Sequence, residues 1–160
     1  MSYEHTQRGW AVRIATMLGG VGMVVGVAFS PEELPRGLYS ILLLVAAAIA
    51  LVGWSFSVLT VRIGDGELHW HFGSGWPSWS TPLDRIAGVE ATRTTFWEGW
   101  GVHRTRRGWL YNVAGQEAVL VRRSDGTAVL LGSDETHKLK NALQAAIRTA
   151  SDPRKAQRQH

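Results

Sequence analysis

The sequence of 160 residues contains no cysteine, which excludes disulfide bonds, thiolate metal ligands and cysteine nucleophiles. It also lacks a G-x-S-x-G nucleophile elbow, and the glycine pair at Gly73 and Gly75 is too short for a phosphate-binding loop. Asp84, Glu90 and Glu98 have no spacing that fixes a carboxylate pair. Because no catalytic combination remains, we expect a non-enzymatic protein without a cofactor.

Charge is absent from one long stretch of the chain. Residues 38–59 (LYSILLLVAAAIALVGWSFSVL) run for 22 residues without a charged side chain. A helix of that length reaches about 33 Å, enough to cross a hydrocarbon core of about 30 Å. Residues 10–29 form a second apolar run whose only charge is Arg13. A secretory signal peptide is the alternative for this run, but the apolar core is long and no A-x-A-like cleavage site follows.

The two apolar runs predict a multi-pass protein of the plasma membrane, with a transmembrane hairpin over residues 10–59. Its connection, residues 30–37, is a short turn that carries Glu32, Glu33 and one arginine, Arg36. The basic residues on the other flanks are Arg8, Arg13 and Arg62. The positive-inside rule therefore predicts that both termini are cytoplasmic. We expect residues 1–9 to form a polar, poorly ordered cytoplasmic tail.

A small-residue motif lies in the first predicted helix, at Gly22 and Gly26. Such spacing lets helix backbones approach closely in lipid, and the alanines at positions 46–48 and 50 offer a matching surface on the second helix. We expect the motif to pack within the hairpin, with dimerisation as an alternative. Glycine is also common in membrane helices without a packing role.

The pattern changes after the second apolar run, where apolar residues alternate with polar ones. Asp65-Gly66 and Asp125-Gly126 mark hairpin turns, and about seven short strands follow one another. Leu139 and Leu143 lie on one face of a closing helix. We therefore expect an α+β membrane protein in which residues 60–150 form a small antiparallel barrel closed by this helix. Residues 151–160 form a basic tail.

Several short segments follow one another in a recognisable order. They are 59–63 (LTVRI), 65–68 (DGEL), 82–86 (PLDRI), 97–101 (WEGWG), 117–121 (EAVLV), 125–126 (DG) and the helix after Ser133. This order resembles the bacterial pleckstrin-homology-like (PH-like) domains, in particular small membrane proteins with a helical hairpin followed by such a domain. The resemblance implies a seven-stranded antiparallel β-barrel capped by a C-terminal α-helix and carries no agreed catalytic residues.

One stretch, residues 96–109, combines aromatic and basic side chains and is the candidate binding site. Its proposed lipid- or partner-binding residues are Trp97, Trp100, Arg104, Arg106, Arg107 and Trp109, with His103 and Phe96 beside them. Indole rings favour the headgroup boundary, and guanidinium groups pair with phosphates. In the alternative interpretation the tryptophans fill the barrel and the arginines are ordinary solvated charge. A single-stranded RNA surface would share this composition, but a membrane tether disfavours it.

Charge and histidine spacing complete the sequence evidence. Residues 60–160 carry fourteen Lys and Arg against ten Asp and Glu, an excess suited to an anionic membrane and weak as evidence for nucleic acid. His69 and His71 share a strand face, but too few other ligands accompany them to favour a metal site. We expect a membrane-anchored binding module that contacts inner-leaflet phospholipid or a protein partner. The alternative is an accessory or scaffolding subunit of a membrane complex, in which the hairpin is the working part.

Overall fold

The computed structural model of the protein describes residues 2–29, 35–95 and 101–151, and within them it contains three α-helices and nine strands. In chain order the elements are β1 (Tyr3–Arg8), α1 (Trp10–Ala28), α2 (Arg36–Ser55), β2 (Val58–Gly64), β3 (Glu67–Phe72), β4 (Ser78–Pro82), a 3-10 turn (Leu83–Arg85), β5 (Ile86–Arg93), β6 (Gly101–Thr105), β7 (Gly108–Asn112), β8 (Glu117–Arg123), β9 (Ala128–Gly132) and α3 (Thr136–Ala150).

The two apolar runs form helices, each long and apolar enough to cross a membrane. α1 matches the predicted range, whereas α2 ends at Ser55, four residues before the predicted end. Val58 and Leu59 belong to β2 instead, because β2 is paired on both sides along this part of its length. Neither helix is covered by the rest of the protein: α1 has no buried residue, and Ala46 is the buried apolar residue of α2.

The N-terminal residues correct the prediction of a poorly ordered tail. Residues 3–8 form β1 and pair antiparallel with β2 over their whole length, from Tyr3 opposite Ile63 to Arg8 opposite Val58. Gln7 is buried, and its Nε2 donates to the carbonyl oxygen of Ala114 at 2.9 Å. The inward positions of β1 are polar or aromatic rather than aliphatic, so the apolar alternation that predicts a strand is missing.

The strands form two sheets and no closed barrel, so the expected seven-stranded antiparallel barrel is wrong in strand number and in closure. The first sheet has the order β1-β2-β3-β4 and the second β5-β8-β9-β7-β6. Among the described residues β4 pairs only with β3 and β6 only with β7, so both sheets keep open edges.

The pair β7 and β9 is parallel, which the expectation of a purely antiparallel sheet did not include. The connection after β7 passes over the neighbouring position in the sheet, and the chain continues as β8, two positions away from β7. There the Asn112 side chain accepts from the backbone N–H of Ala114 and donates to the carbonyl of Gly115. β9 then returns into the space between β8 and β7. Strand alternation in a sequence does not report this order of pairing.

The main core lies between the two sheets and α3. Trp70 and Phe72 of β3 are fully buried there, together with Leu139 and Leu143 of α3. The predicted closing helix and its buried face are confirmed. α3 starts at Thr136 and packs against strands of both sheets, so it closes one side of the space between them.

The domain is fixed to the helical hairpin at three points. The backbone N–H of Gly9 donates to the carbonyl of Ser57 at 2.7 Å, which joins the start of α1 to the end of α2. Any side chain at Gly9 would collide with the carbonyl of Val113. A Cβ at Gly73, after β3, would lie 2.9 Å from the carbonyl oxygen of Ser55. These contacts place β1 and β2 at the same end of the hairpin.

Candidate functional site

The candidate site is built on the hairpin formed by β6 and β7, whose tight turn contains Arg106 and Arg107. Thr105 stabilises this turn, because its Oγ1 donates to the carbonyl of Gly108 at 2.9 Å and accepts from the backbone N–H of Arg107 at 3.1 Å. Gly108 has a φ of 138°, and a Cβ there would collide with the carbonyl of Ala128. The turn therefore requires glycine at this position.

Arg107 fixes the turn to the end of β5. Its Nη1 donates to Thr92 Oγ1 at 2.8 Å, and its Nη2 donates to the carbonyl oxygen of Arg93 at 3.0 Å. β5 and β6 are opposite edges of the second sheet, so this one side chain joins two edges that no strand pair connects in the described residues. Arg107 therefore stabilises the position of the turn in addition to carrying a positive charge.

An open groove lies between this turn and the end of β5, with a cavity volume of about 770 Å³. Its described lining residues are Arg93, Thr95, His103, Arg104, Thr105, Arg106 and Arg107. None of these is acidic. The side chains of Arg93, Arg104 and Arg106 are exposed, so the groove presents several cations to solvent.

His103 adds an imidazole ring to the lining of the groove. Its Nε2 is buried and has no hydrogen-bond partner among the described residues. Guanidinium groups are donors suited to phosphate oxygens. The described lining of the groove therefore suits an anionic group.

The structure brings several of the predicted binding residues together. Arg104, Arg106 and Arg107 all line the groove. Trp109 lies directly opposite Arg104 in the antiparallel pair of β6 and β7, so the two side chains share one face of the hairpin. Trp109 is half exposed and is not part of either core cluster.

Two predicted residues, Trp97 and Trp100, lie outside the described residues, as does Phe96. The interpretation in which tryptophan fills the core applies instead to Trp70 and Trp79, whose rings stack at 6.4 Å between centroids. Sequence reasoning did not separate these two groups, because burial of a tryptophan depends on which sheet face it occupies.

Arg93 and Thr95 belong to the groove and were missed in the sequence. Arg93 is the last residue of β5, and Thr95 lies two residues beyond it. Both lie beside the β6–β7 turn because Arg107 joins the two edges of the second sheet. No spacing in the sequence reports that approach.

Gly22 and Gly26 lie away from the contact between the two helices. A Cβ at either position would meet no atom within 4 Å. The close approach between α1 and α2 is at Gly53, where a Cβ would collide with the methyl group of Thr16. The expected close approach within the hairpin therefore does not occur at these two glycines. The alternative, packing of the motif against another chain, stays untested.

His69 and His71 lie on one face of β3 as expected, with ring centroids 6.0 Å apart. In the part of the chain that the structure describes, no group of three or more His, Asp or Glu residues is placed to hold a metal ion.

The sequence matches no known family model, and a search of curated proteins finds no significant relative. The candidate site therefore has to be interpreted from its own geometry.

Proposed function

We propose that this protein is a non-enzymatic, membrane-anchored binding module with a PH-like domain. The single observation that carries the proposal is that two long apolar helices, directly joined to a folded domain, expose their large apolar side chains. Water would disfavour so much exposed apolar surface, whereas lipid removes that penalty. The large exposed apolar side chains of the hairpin are Trp10, Ile14, Met17, Leu18, Val21, Val24, Val25, Phe29, Leu38, Ile41, Leu43, Leu44, Val45, Ile49, Leu51, Val52 and Trp54.

The domain and both termini belong, in this proposal, to the cytoplasmic side of the plasma membrane. The pairing of β1 with β2 supports a shared side, because β1 precedes the hairpin and β2 follows it. The charges on either side of the two apolar runs support the cytoplasm as that side, by the positive-inside rule.

Cysteine labelling of intact cells tests this topology without interference, because the chain has no native cysteine. A cysteine introduced at Gly37 should react with a membrane-impermeant maleimide, and one at Ser124 should react only after lysis. The opposite pattern would overturn the orientation.

The PH-like assignment is supported by two sheets with a core between them and by a C-terminal helix across their side. The extra strand β1, the parallel pair β7 and β9, and the open edges depart from the implied seven-stranded barrel. The fold family is therefore part of the proposal.

The basic groove is the proposed binding element, and its ligand is the phosphate of an anionic phospholipid headgroup in the inner leaflet. Each cation near an anionic surface contributes about 1 kcal/mol, so Arg93, Arg104 and Arg106 together supply about 3 kcal/mol before screening. The Debye length is about 10 Å at 0.1 M salt, so the interaction should weaken as salt rises. The hairpin holds the groove at high local concentration near lipid, which makes weak binding effective.

The test uses the full chain in a nonionic detergent and short-chain phosphatidylglycerol, with short-chain phosphatidylcholine as the neutral comparison. Arg104→Ser with Arg106→Ser should weaken phosphatidylglycerol binding by about tenfold or more at low salt, in line with the loss of about 2 kcal/mol. Arg107 is left intact because it holds the turn to β5. The matched control, Lys140→Ser with Arg148→Ser, removes the same charge from α3 and should bind as the parent does.

Competition with inorganic phosphate tests whether the groove binds the phosphate of a lipid headgroup or a free phosphate ion. Competition by millimolar phosphate at constant ionic strength would identify a soluble phosphate site instead. Equal binding of the two lipids, or equal loss in the two double variants, would overturn the proposed role of the groove.

The alternative function is an accessory subunit of a membrane complex. The open surface at Gly22 and Gly26 favours it, since a second helix could approach there. A partner recovered at fixed stoichiometry in mild detergent, and lost with Gly22→Leu, would support this alternative.

A further inference from the structure

The turn between β3 and β4, residues 73–77, carries the most exposed aromatic side chain among the described residues of the domain. Trp76 exposes 80% of its surface, more than Trp10, Trp54 or Trp109. The turn has the sequence GSGWP and no charged residue. A soluble surface rarely leaves an indole so exposed, and this one has no role in the core or in the basic groove.

Backbone hydrogen bonds close this turn and join it to the start of β2, just after α2. The N–H of Phe72 donates to the carbonyl of Pro77 at 3.1 Å, and the N–H of Gly73 donates to the carbonyl of Val58 at 3.0 Å. Gly73 has a φ of 52°, and a Cβ there would meet the carbonyl oxygen of Ser55 at 2.9 Å. Glycine at this position thus lets the turn lie directly on the last residue of α2.

The position of the turn follows from these contacts. Three residues of chain span at most about 11 Å, so the Cα atom of Trp76 lies within that distance of the Cα atom of Gly73. Trp10 begins α1, and Trp54 is next to the last residue of α2. The three exposed tryptophans are therefore all at the domain end of the hairpin.

The other end of β2 and β3 is chemically different. The turn there contains Asp65, whose carboxylate lies 3.8 Å from a guanidinium nitrogen of Arg62, and Glu67 follows directly. The seven residues of β2 separate this charged turn from the uncharged one by about 20 Å. Only the uncharged turn suits the boundary between headgroups and hydrocarbon.

From these observations we propose that Trp76 inserts into the headgroup boundary of the leaflet that contains Trp10 and Trp54. It is a third membrane contact, and it fixes the orientation of the domain relative to the bilayer. Interfacial tryptophans place the apolar ring among the upper acyl chains and the indole N–H among the headgroups. This inference rests on the proposed membrane insertion of the hairpin and is independent of the basic groove.

The experiment uses the full chain in phosphatidylcholine vesicles and an environment-sensitive fluorophore on single cysteines. One probe is at Ser74, an exposed residue of the turn, which leaves Trp76 in place. Leu44→Cys reports on the middle of α2, and Asp65→Cys reports on the distant charged turn. The quenchers are lipids that carry a nitroxide either near the headgroup or near the end of the acyl chain.

We expect the Leu44 probe to be quenched most by the deep nitroxide and the Ser74 probe most by the shallow nitroxide. The Asp65 probe should be quenched several-fold less than the Ser74 probe by both. Replacing Trp76→Ser should reduce shallow quenching at Ser74 several-fold, whereas His137→Ser, which removes an exposed ring from α3, should not.

Shallow quenching at Ser74 that is unchanged by Trp76→Ser would overturn the anchoring role of Trp76. Quenching at Ser74 as weak as at Asp65, with Leu44 deeply quenched, would overturn the inference while leaving the hairpin in the bilayer. An unquenched Leu44 probe would overturn the membrane hairpin and this inference with it.

Discussion

The guanidinium carbon of Arg13 lies 4.6 Å from the centre of the Trp54 ring, although 40 residues of chain separate them. Arg13 Nε also donates to Ser57 Oγ at 2.9 Å. The guanidinium group of Arg13, in the first turn of α1, thus contacts Trp54 in the last turn of α2 and Ser57 shortly after it. At a membrane interface this arrangement satisfies the charge without drawing it into the hydrocarbon.

This contact predicts an energetic coupling between the two helices. A double-mutant cycle with Arg13→Met and Trp54→Leu should give about 0.5–2 kcal/mol, measured by denaturant unfolding of the full chain in mild detergent. The ring centre of Trp10 lies farther from the guanidinium carbon of Arg13, at 5.7 Å. A cycle with Arg13→Met and Trp10→Leu should therefore give a smaller coupling energy. Equal couplings for the two rings would contradict the geometry.

Glycine substitutions should distinguish the observed helix contact from the one expected in the sequence. Gly53→Ala should lower the stability of the hairpin by about 1–3 kcal/mol, because the added methyl group collides with Thr16. Gly22→Ala and Gly26→Ala should leave it unchanged or raise it, since their surroundings are open and alanine favours helix. If Gly22→Ala proves the more damaging in a monodisperse monomer, the position of the helix contact is wrong.

The role of β1 can be tested within a single strand. Gln7→Ala should destabilise the protein by about 1–3 kcal/mol, because it removes a buried side chain and leaves the Ala114 carbonyl without its donor. Glu4→Ala, at an exposed position of the same strand, should change the stability by less than about 0.5 kcal/mol. Thermal unfolding followed by circular dichroism measures both, and equal melting temperatures would argue against a paired β1.

Tyr3 predicts a change in stability at alkaline pH. Burial, with the nearby charges of Glu135 and Asp134, raises the pKa of Tyr3 from 10.0 to about 12. The stabilising contribution is therefore complete below pH 10 and is lost as the pH rises through about 12. Tyr3→Phe should flatten the loss of stability in this pH window.

The same variant should not weaken the protein at neutral pH. The Tyr3 hydroxyl is buried and has no hydrogen-bond partner among the described residues, so its removal costs no bond there. Thermal unfolding from pH 7 to pH 12 measures both effects. An unchanged alkaline profile would show that Tyr3 does not titrate in the folded environment described.

The sequence by itself determined the elements whose signal is local. Apolar runs of sufficient length, with no charge or a single one, predicted α1 and α2, and the spacing of Leu139 and Leu143 predicted the buried face of α3. The hairpin turns at residues 65–66 and 124–126 were also predictable, since their residues favour positive φ or tight turns.

Only the tertiary structure decided how the strands pair. β1 has too little apolar alternation to be predicted and becomes a strand because β2 offers an unpaired edge. The parallel pair of β7 and β9 depends on the path of the chain after Asn112, and the groove depends on Arg107 reaching across to β5. These relationships join residues that are distant in the sequence, and alternation reports only which face a residue occupies, so they exist only once the sheets have formed.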